Sequence, residues 1–126
     1  MPIRVAQIGT GNVGAHALRS VIANPAFELT AVWVSSEAKA GKDAAELIGL
    51  DTKTGIITTT DLDAVLATKP DCAVYNAMAD NRLMEALEDY RRILAAGVNV
   101  VGSGPVFLQW PWQVIPDEMV RPIEDA

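Results

Sequence analysis

Ile3-Arg4-Val5-Ala6-Gln7-Ile8, followed at once by Gly9-Thr10-Gly11-Asn12-Val13-Gly14, is the stretch on which the reading of this chain turns. The opening run is β-rich, and Ala15, Ala17, Leu18, Val21 and Ile22 then recur at helical spacing until Asn24-Pro25 stops them. A strand therefore passes through a tight glycine turn into a helix. Glycines spaced Gly-x-Gly-x-x-Gly have separate tasks at such a junction. Gly9 permits the turn, Gly11 lets the backbone approach a pyrophosphate, and Gly14 allows the helix to pack closely on the strand. The helix start offers free N–H groups and the positive end of its dipole to phosphate oxygens. Thr10, Asn12 and Val13 complete the loop around them.

Working outward, Leu29 to Val34 reads as a second strand with few polar residues, as suits a sheet covered by helices on both faces. With the first strand and helix it forms one βαβ unit. A short helix near Lys42 to Ile48 closed by Gly49, a strand at Ile56 to Thr58, and a helix opened by Asp61 and ended near Pro70 continue the alternation. Cys72 to Asn76 is the fourth strand. Asn81 to Ala96 is a long helix with Leu83, Leu87, Tyr90 and Leu94 on one stripe and Gly97 as its cap, and Val98 to Val101 is the fifth strand. This order predicts a single α/β domain with a doubly wound parallel sheet of the Rossmann type.

The dinucleotide-binding domain is expected to span 1–105, with 106–126 a segment connecting it to a substrate or oligomerisation domain. From Val106 the sequence is aromatic and broken by proline through Trp110-Pro111-Trp112, a segment open to reading as core or as a docking face. Asp117-Glu118 begin a helix whose apolar positions Met119, Val120 and Ile123 are barely under way when the sequence stops at Ala126. That pattern predicts truncation ahead of a further domain.

A classical NAD site places Asp or Glu about 20 residues beyond the glycines, to accept the adenosine ribose hydroxyls. Here Val34, Ser35 and Ser36 stand at that point and Glu37 is slightly late. Ser35, Ser36 and Lys39, with Lys42 further off, are candidate donors to a 2′-phosphate, so NADP is favoured over NAD. The plainer alternative has the serines capping a turn and the lysines solvated. Ligands in such sheets lie beyond the carboxyl ends of the strands. The loop Asn76-Ala77-Met78-Ala79-Asp80 after the fourth strand, with Asn76, Ala77 and Met78 foremost, and Gly102, Ser103 and Gly104 after the fifth, are therefore expected to flank the nicotinamide and its ribose. Asp80 is expected to cap the long helix, His16 to lie on the surface, and Cys72 to pack as a small hydrophobe.

Composition narrows the class. The chain has 126 residues, with 10 Lys+Arg against 16 Asp+Glu for a net charge of −6, and no basic run to engage nucleic acid. The lone Cys72 excludes an internal disulfide and points to a reducing, cytoplasmic setting. No apolar stretch approaches the roughly 20 residues of a membrane span. The first strand begins so early that no signal peptide is expected.

With these motifs the chain resembles the N-terminal NAD(P)-binding domain of the dihydrodipicolinate reductase-like family, whose relatives include diaminopentanoate dehydrogenase-type amine dehydrogenases. Beyond the glycine turn, Gly41-Lys42-Asp43-Ala44-Ala45-Glu46-Leu47-Ile48-Gly49 is similar to the family's Gly-x-Asp-x-x-Glu-Leu stretch. Gly102-Ser103-Gly104 stands where the family carries a Gly-Thr-Thr-Gly loop contacting the nicotinamide. Pro105 and the aromatic run after it depart from that pattern. The resemblance implies hydride transfer to or from an imine- or amine-type small molecule held by another domain, with association into homo-oligomers as a further expectation. No catalytic residue is carried over, because the family's substrate motifs have no counterpart here. A non-catalytic dinucleotide-binding or redox-sensing module, the N-terminal domain of an acylating aldehyde dehydrogenase, and a domain for another nucleotide such as coenzyme A remain open alternatives.

Overall fold

The computed structural model describes the chain from Met1 to Ala126 except Asp80, Trp110 and Gln113, and except the side chains of Phe107 and Gln109. The expected roles of Asp80 as a cap and of Trp110 in a docking face lie outside the described residues. The elements run β1 (Ile3–Ile8), α1 (Asn12–Ala23), β2 (Phe27–Trp33), α2 (Ala44–Leu47), α3 (Leu62–Ala67), β3 (Cys72–Tyr75), α4 (Leu83–Ala95), β4 (Asn99–Gly102), a 3₁₀ turn at Val106–Gln109 and α5 (Asp117–Glu124). Among the described residues no helix is long and apolar enough to cross a membrane.

The four strands among the described residues are parallel, in the order β2-β1-β3-β4. The chain steps outward from β1 to β2 and then returns to the other side of β1, which places a switch point between β1 and β3. Register finishes the geometry: Ile8 pairs with both Trp33 and Tyr75, and Tyr75 with Gly102. The strands therefore end level, and the loops that follow them rise along one edge of the sheet.

Side chains alternate between the two faces because a strand has a period of two. Ala6, Ile8, Ala31, Trp33, Ala73 and Tyr75 pack with Leu62 and Val65 of α3 and with Ala86, Tyr90 and Ile93 of α4. Val32 and Val34 pack instead with Leu18 of α1 and with Ala44 and Ile48. Fully burying each large aliphatic side chain contributes about 1.5–3 kcal/mol. Of the segment after Pro105, Leu108 and Ile123 pack on the larger cluster and Val120 of α5 is buried.

Two expectations need correction. The predicted strand at Ile56 to Thr58 makes only isolated bridges, Asp43 to Ile57 and Trp33 to Thr59. Its hydrogen-bonding groups are taken up locally: the Thr58 N–H donates to the Lys42 carbonyl, the Thr58 carbonyl accepts from the Gly41 N–H, and the Thr58 hydroxyl donates to the Lys39 carbonyl. Little is left to extend a ladder along β2. The buried stripe of α4 is Ala86, Leu87, Tyr90 and Ile93, while Leu83 and Leu94 are only half-buried. The tyrosine sets this face by stacking on Tyr75, with ring centroids 4.7 Å apart.

The loop between α2 and the bridging segment hangs on Asp43. Its carboxylate accepts from the backbone N–H groups of Ala45, Thr54 and Gly55 and from the Thr54 hydroxyl, at 2.9 to 3.1 Å. The Thr54 backbone bond leads these contacts in lowering the Asp43 pKa from 3.8 to about 2. Because the folded value is the lower one, this stabilisation is complete above pH 3.8 and fades as pH falls toward 2. Asp43→Ala should lower Tm by on the order of 5–10 °C at pH 7. The difference from the unsubstituted chain should shrink in acid, and a constant difference in melts from pH 7 to pH 2 would contradict the assignment.

Candidate functional site

At the level edge of the sheet, the turn after β1 is built around backbone conformations that only glycine adopts easily or that only glycine has room for. Gly9 has φ of 97°, and a Cβ there would come within 2.6 Å of the Ala77 nitrogen and 2.8 Å of the Asn76 carbonyl carbon. Gly14 lies under the turn, where a Cβ would overlap the Gly9 carbonyl. Gly11 is different in kind. Its φ is −72°, open to any residue, and a Cβ would meet nothing within 4 Å. Neither backbone nor packing demands glycine there, so the space above Gly11 is free for a ligand.

Gly11 is the N-cap of α1, with no side chain capping it and no acidic residue in the first turn. The N–H groups that a helix start leaves unpaired, with the positive end of the dipole behind them, therefore face this space. The space continues as a cleft of about 470 Å³, lined by Gly9, Thr10, Gly11, Asn12 and Val13 of the turn, Trp33, Ser35 and Lys39 from β2 onward, Asn76, Ala77, Met78 and Ala79 after β3, and Ser103, Gly104 and Val106 after β4. No carboxylate is among these residues, and Lys39 is the single formal charge.

Most of the residues expected at the site come together here, and three serve other ends. Gly14 holds α1 against the turn. Ser36 does not line the cleft; its hydroxyl oxygen accepts from the Ala38 N–H at 3.2 Å, the turn-capping role weighed for these serines. Gly102 also lies off the cleft, against α4, where a Cβ would overlap the Tyr90 hydroxyl. That hydroxyl donates to the Gly104 carbonyl at 2.6 Å and so fixes the loop after β4. The more distant Lys42 is held through its backbone N–H by the Thr58 hydroxyl and does not line the cleft.

Ala79 lines the cleft with the rest of its loop, and Trp33 and Val106 line it without having been expected to. Trp33 is the last residue of β2, and that position was the available signal. It is held firmly: the indole N–H donates to the Thr60 carbonyl at 2.9 Å, and the Arg82 guanidinium sits 5.5 Å from the ring centroid. Arg82 in turn donates to the Tyr75 hydroxyl and pairs with Asp89, to which Tyr75 also donates at 2.7 Å.

The cleft is built to bind. Burial pushes the Tyr90 phenol up to about 12 and raises Tyr75 too, so both stay protonated, and neither reaches the cleft. Burial and then Asp71 raise the Cys72 thiol, which rules out a ready thiolate. His16 is exposed on α1. Among the described residues that line the cleft there is no His, Cys, Tyr, Asp or Glu, the usual carriers of general acid–base work.

A parallel sheet with a switch point, a glycine turn opening a helix, and a cleft above it with no carboxylate among its described lining residues define a dinucleotide-binding domain of the Rossmann type. Residues 3–101 match the family model for the N-terminus of dihydrodipicolinate reductase. The chain belongs to that family. It is 50% identical over 93 residues to an amine dehydrogenase of Streptomyces virginiae, an alignment covering 74% of this chain and 26% of that protein. The amine dehydrogenase of Mycobacterium smegmatis superposes with a TM-score of 0.83 at 25% identity, covering 99% of this chain and 36% of that one. The biliverdin reductase of Synechocystis, solved with biliverdin and NADP+, shares the fold with a TM-score of 0.68 at 18% identity, over 99% of this chain and 35% of its own. The chain thus spans 26% to 36% of the length of these relatives.

Proposed function

We propose that this domain binds NADPH, with NADH as the alternative, for an oxidoreductase acting on an imine- or amine-type small molecule. The observation that carries the reading is the space above Gly11, left open by the protein beside an uncapped helix N-terminus in a cleft with no carboxylate among its described lining residues. These residues fit a dinucleotide. The turn and the start of α1 would hold the pyrophosphate, Ser35 and Lys39 the adenosine 2′-phosphate, and the loops after β3 and β4 the nicotinamide half. When bound, the nicotinamide supplies or accepts hydride. This chain's residues bind it, orient it and screen it from water.

The amine dehydrogenase likeness supports a carbon–nitrogen substrate. Because the described lining of the cleft holds no His, Cys, Tyr, Asp or Glu for proton transfer, we assign the substrate to another domain, reached through residues 106–126, and take homo-oligomers as the working assembly. A cytoplasmic setting agrees with the lone cysteine.

Calorimetric titration with NADPH and NADH tests the reading. NADPH is expected to bind more tightly. Equal affinities would remove the 2′-phosphate assignment, and absence of binding by either would overturn the function. Ser35→Asp should turn the preference toward NADH by about tenfold or more, since a carboxylate there accepts ribose hydroxyls and repels a 2′-phosphate. An unchanged ratio of affinities would take Ser35 out of the adenosine pocket.

A further inference from the structure

Gln7 stands in β1 beside Val32 and Val74 of the neighbouring strands, with no exposed surface. Its Nε2 donates to the Gly9 carbonyl at 3.0 Å and to Asn76 Oδ1 at 2.9 Å. Its Oε1 is buried without a partner. A buried acceptor left unsatisfied costs stability that an aliphatic side chain would not. Packing alone therefore does not account for an amide here.

The polarity of its contacts is fixed from the backbone outward. A carbonyl can only accept, so the group of Gln7 that faces Gly9 must be the nitrogen. The second N–H of that nitrogen meets Asn76, which must then turn its oxygen toward Gln7 and its own nitrogen away. Asn76 Nδ2 reaches the Ser103 hydroxyl oxygen at 3.0 Å. A side-chain amide nitrogen can only donate, so the Ser103 oxygen accepts, and its hydrogen is left for another acceptor. Ser103 lines the cleft, and no group among the described residues takes that hydrogen. One line of side chains thus joins the ends of β1, β3 and β4 and carries a fixed sense of donation.

We propose that Gln7 is a positioning residue: through Asn76 it commits the Ser103 hydroxyl to donate to an oxygen acceptor on the nicotinamide half of the dinucleotide. This rests on the reading of the cleft as an NADPH site, and the test separates the two. Affinities for NADPH and for 2′,5′-ADP, which lacks the nicotinamide half, are measured on the 126-residue chain, on Ser103→Ala, on Gln7→Leu and on the double variant. Each single variant should weaken NADPH about tenfold relative to 2′,5′-ADP, and the double variant should lose no more than either single one. A purely structural Gln7 would weaken both ligands alike.

If the unsubstituted chain binds neither ligand, the functional reading falls and this inference falls with it. If 2′,5′-ADP binds but Ser103→Ala leaves NADPH unaffected, or if the two substitutions add, this inference alone is overturned. Should Gln7→Leu fail to fold, Asn76→Ala breaks the same line one link further out and must show the same non-additivity with Ser103→Ala.

Discussion

Gly11→Val should weaken NADPH binding at least about a hundredfold, because a branched side chain would occupy the pyrophosphate position and forfeit two or more charge-assisted contacts to backbone N–H groups. The fold should survive. Gly11 has φ of −72° and nothing within 4 Å of its missing Cβ, so the backbone and the Cβ of valine meet neither strain nor collision in the unliganded protein. What remains is the poorer N-cap, a loss of about 1 kcal/mol or less. Calorimetry and a thermal melt on the same sample separate the two effects. A folded variant with unchanged affinity would mean that the ligand does not cross Gly11.

Gly14→Ala should do the opposite, damaging the fold before it damages recognition. The added methyl would be driven into the Gly9 carbonyl, which is backbone and cannot swing aside. Relief requires α1 to lift off the turn, for a loss of about 3 kcal/mol or more, a large share of the roughly 5–15 kcal/mol that holds a domain together. Denaturant unfolding followed by circular dichroism measures this directly. A loss below about 1 kcal/mol would show that helix and turn separate easily and that the third glycine is not a packing requirement. Two glycines three positions apart thus carry separable functions.

The β1-turn-α1-β2 unit was legible in the sequence because its signals are contiguous. The turn residues sit directly between a β-rich run and a helical repeat, and the ends of the strands fall where that order requires. Ile56 to Thr58 misled because three apolar or β-branched residues look alike whether their hydrogen bonds run to a sheet or to a nearby loop. Thr58 spends its bonds on Lys39, Gly41 and Lys42. On α4, both Leu83-Leu87-Tyr90-Leu94 and Ala86-Tyr90-Ile93 satisfy helical spacing. The choice between them depends on Tyr75, which belongs to another element.

At the site, the residues of the glycine turn were readable from spacing. Ser36 was not separable from Ser35, because which of two adjacent hydroxyls faces a cleft depends on the turn itself. Gln7 gave no sign at all. A glutamine inside a strand looks like a solvent-facing position until the sheet is assembled and a helix covers it.

The cleft, with no carboxylate among its described lining residues, belongs to a chain of net charge −6. At physiological ionic strength a charge is felt over about 8 Å, so an approaching polyanion meets the averaged, unfavourable surface first and the receptive helix end only at close range. By its own charge this chain therefore does not gather phosphates around itself and then sort them. Its attraction is confined to near-contact distances, where the shape of the turn admits or refuses the ligand, and an abundant anion that cannot enter the cleft gains little by being nearby.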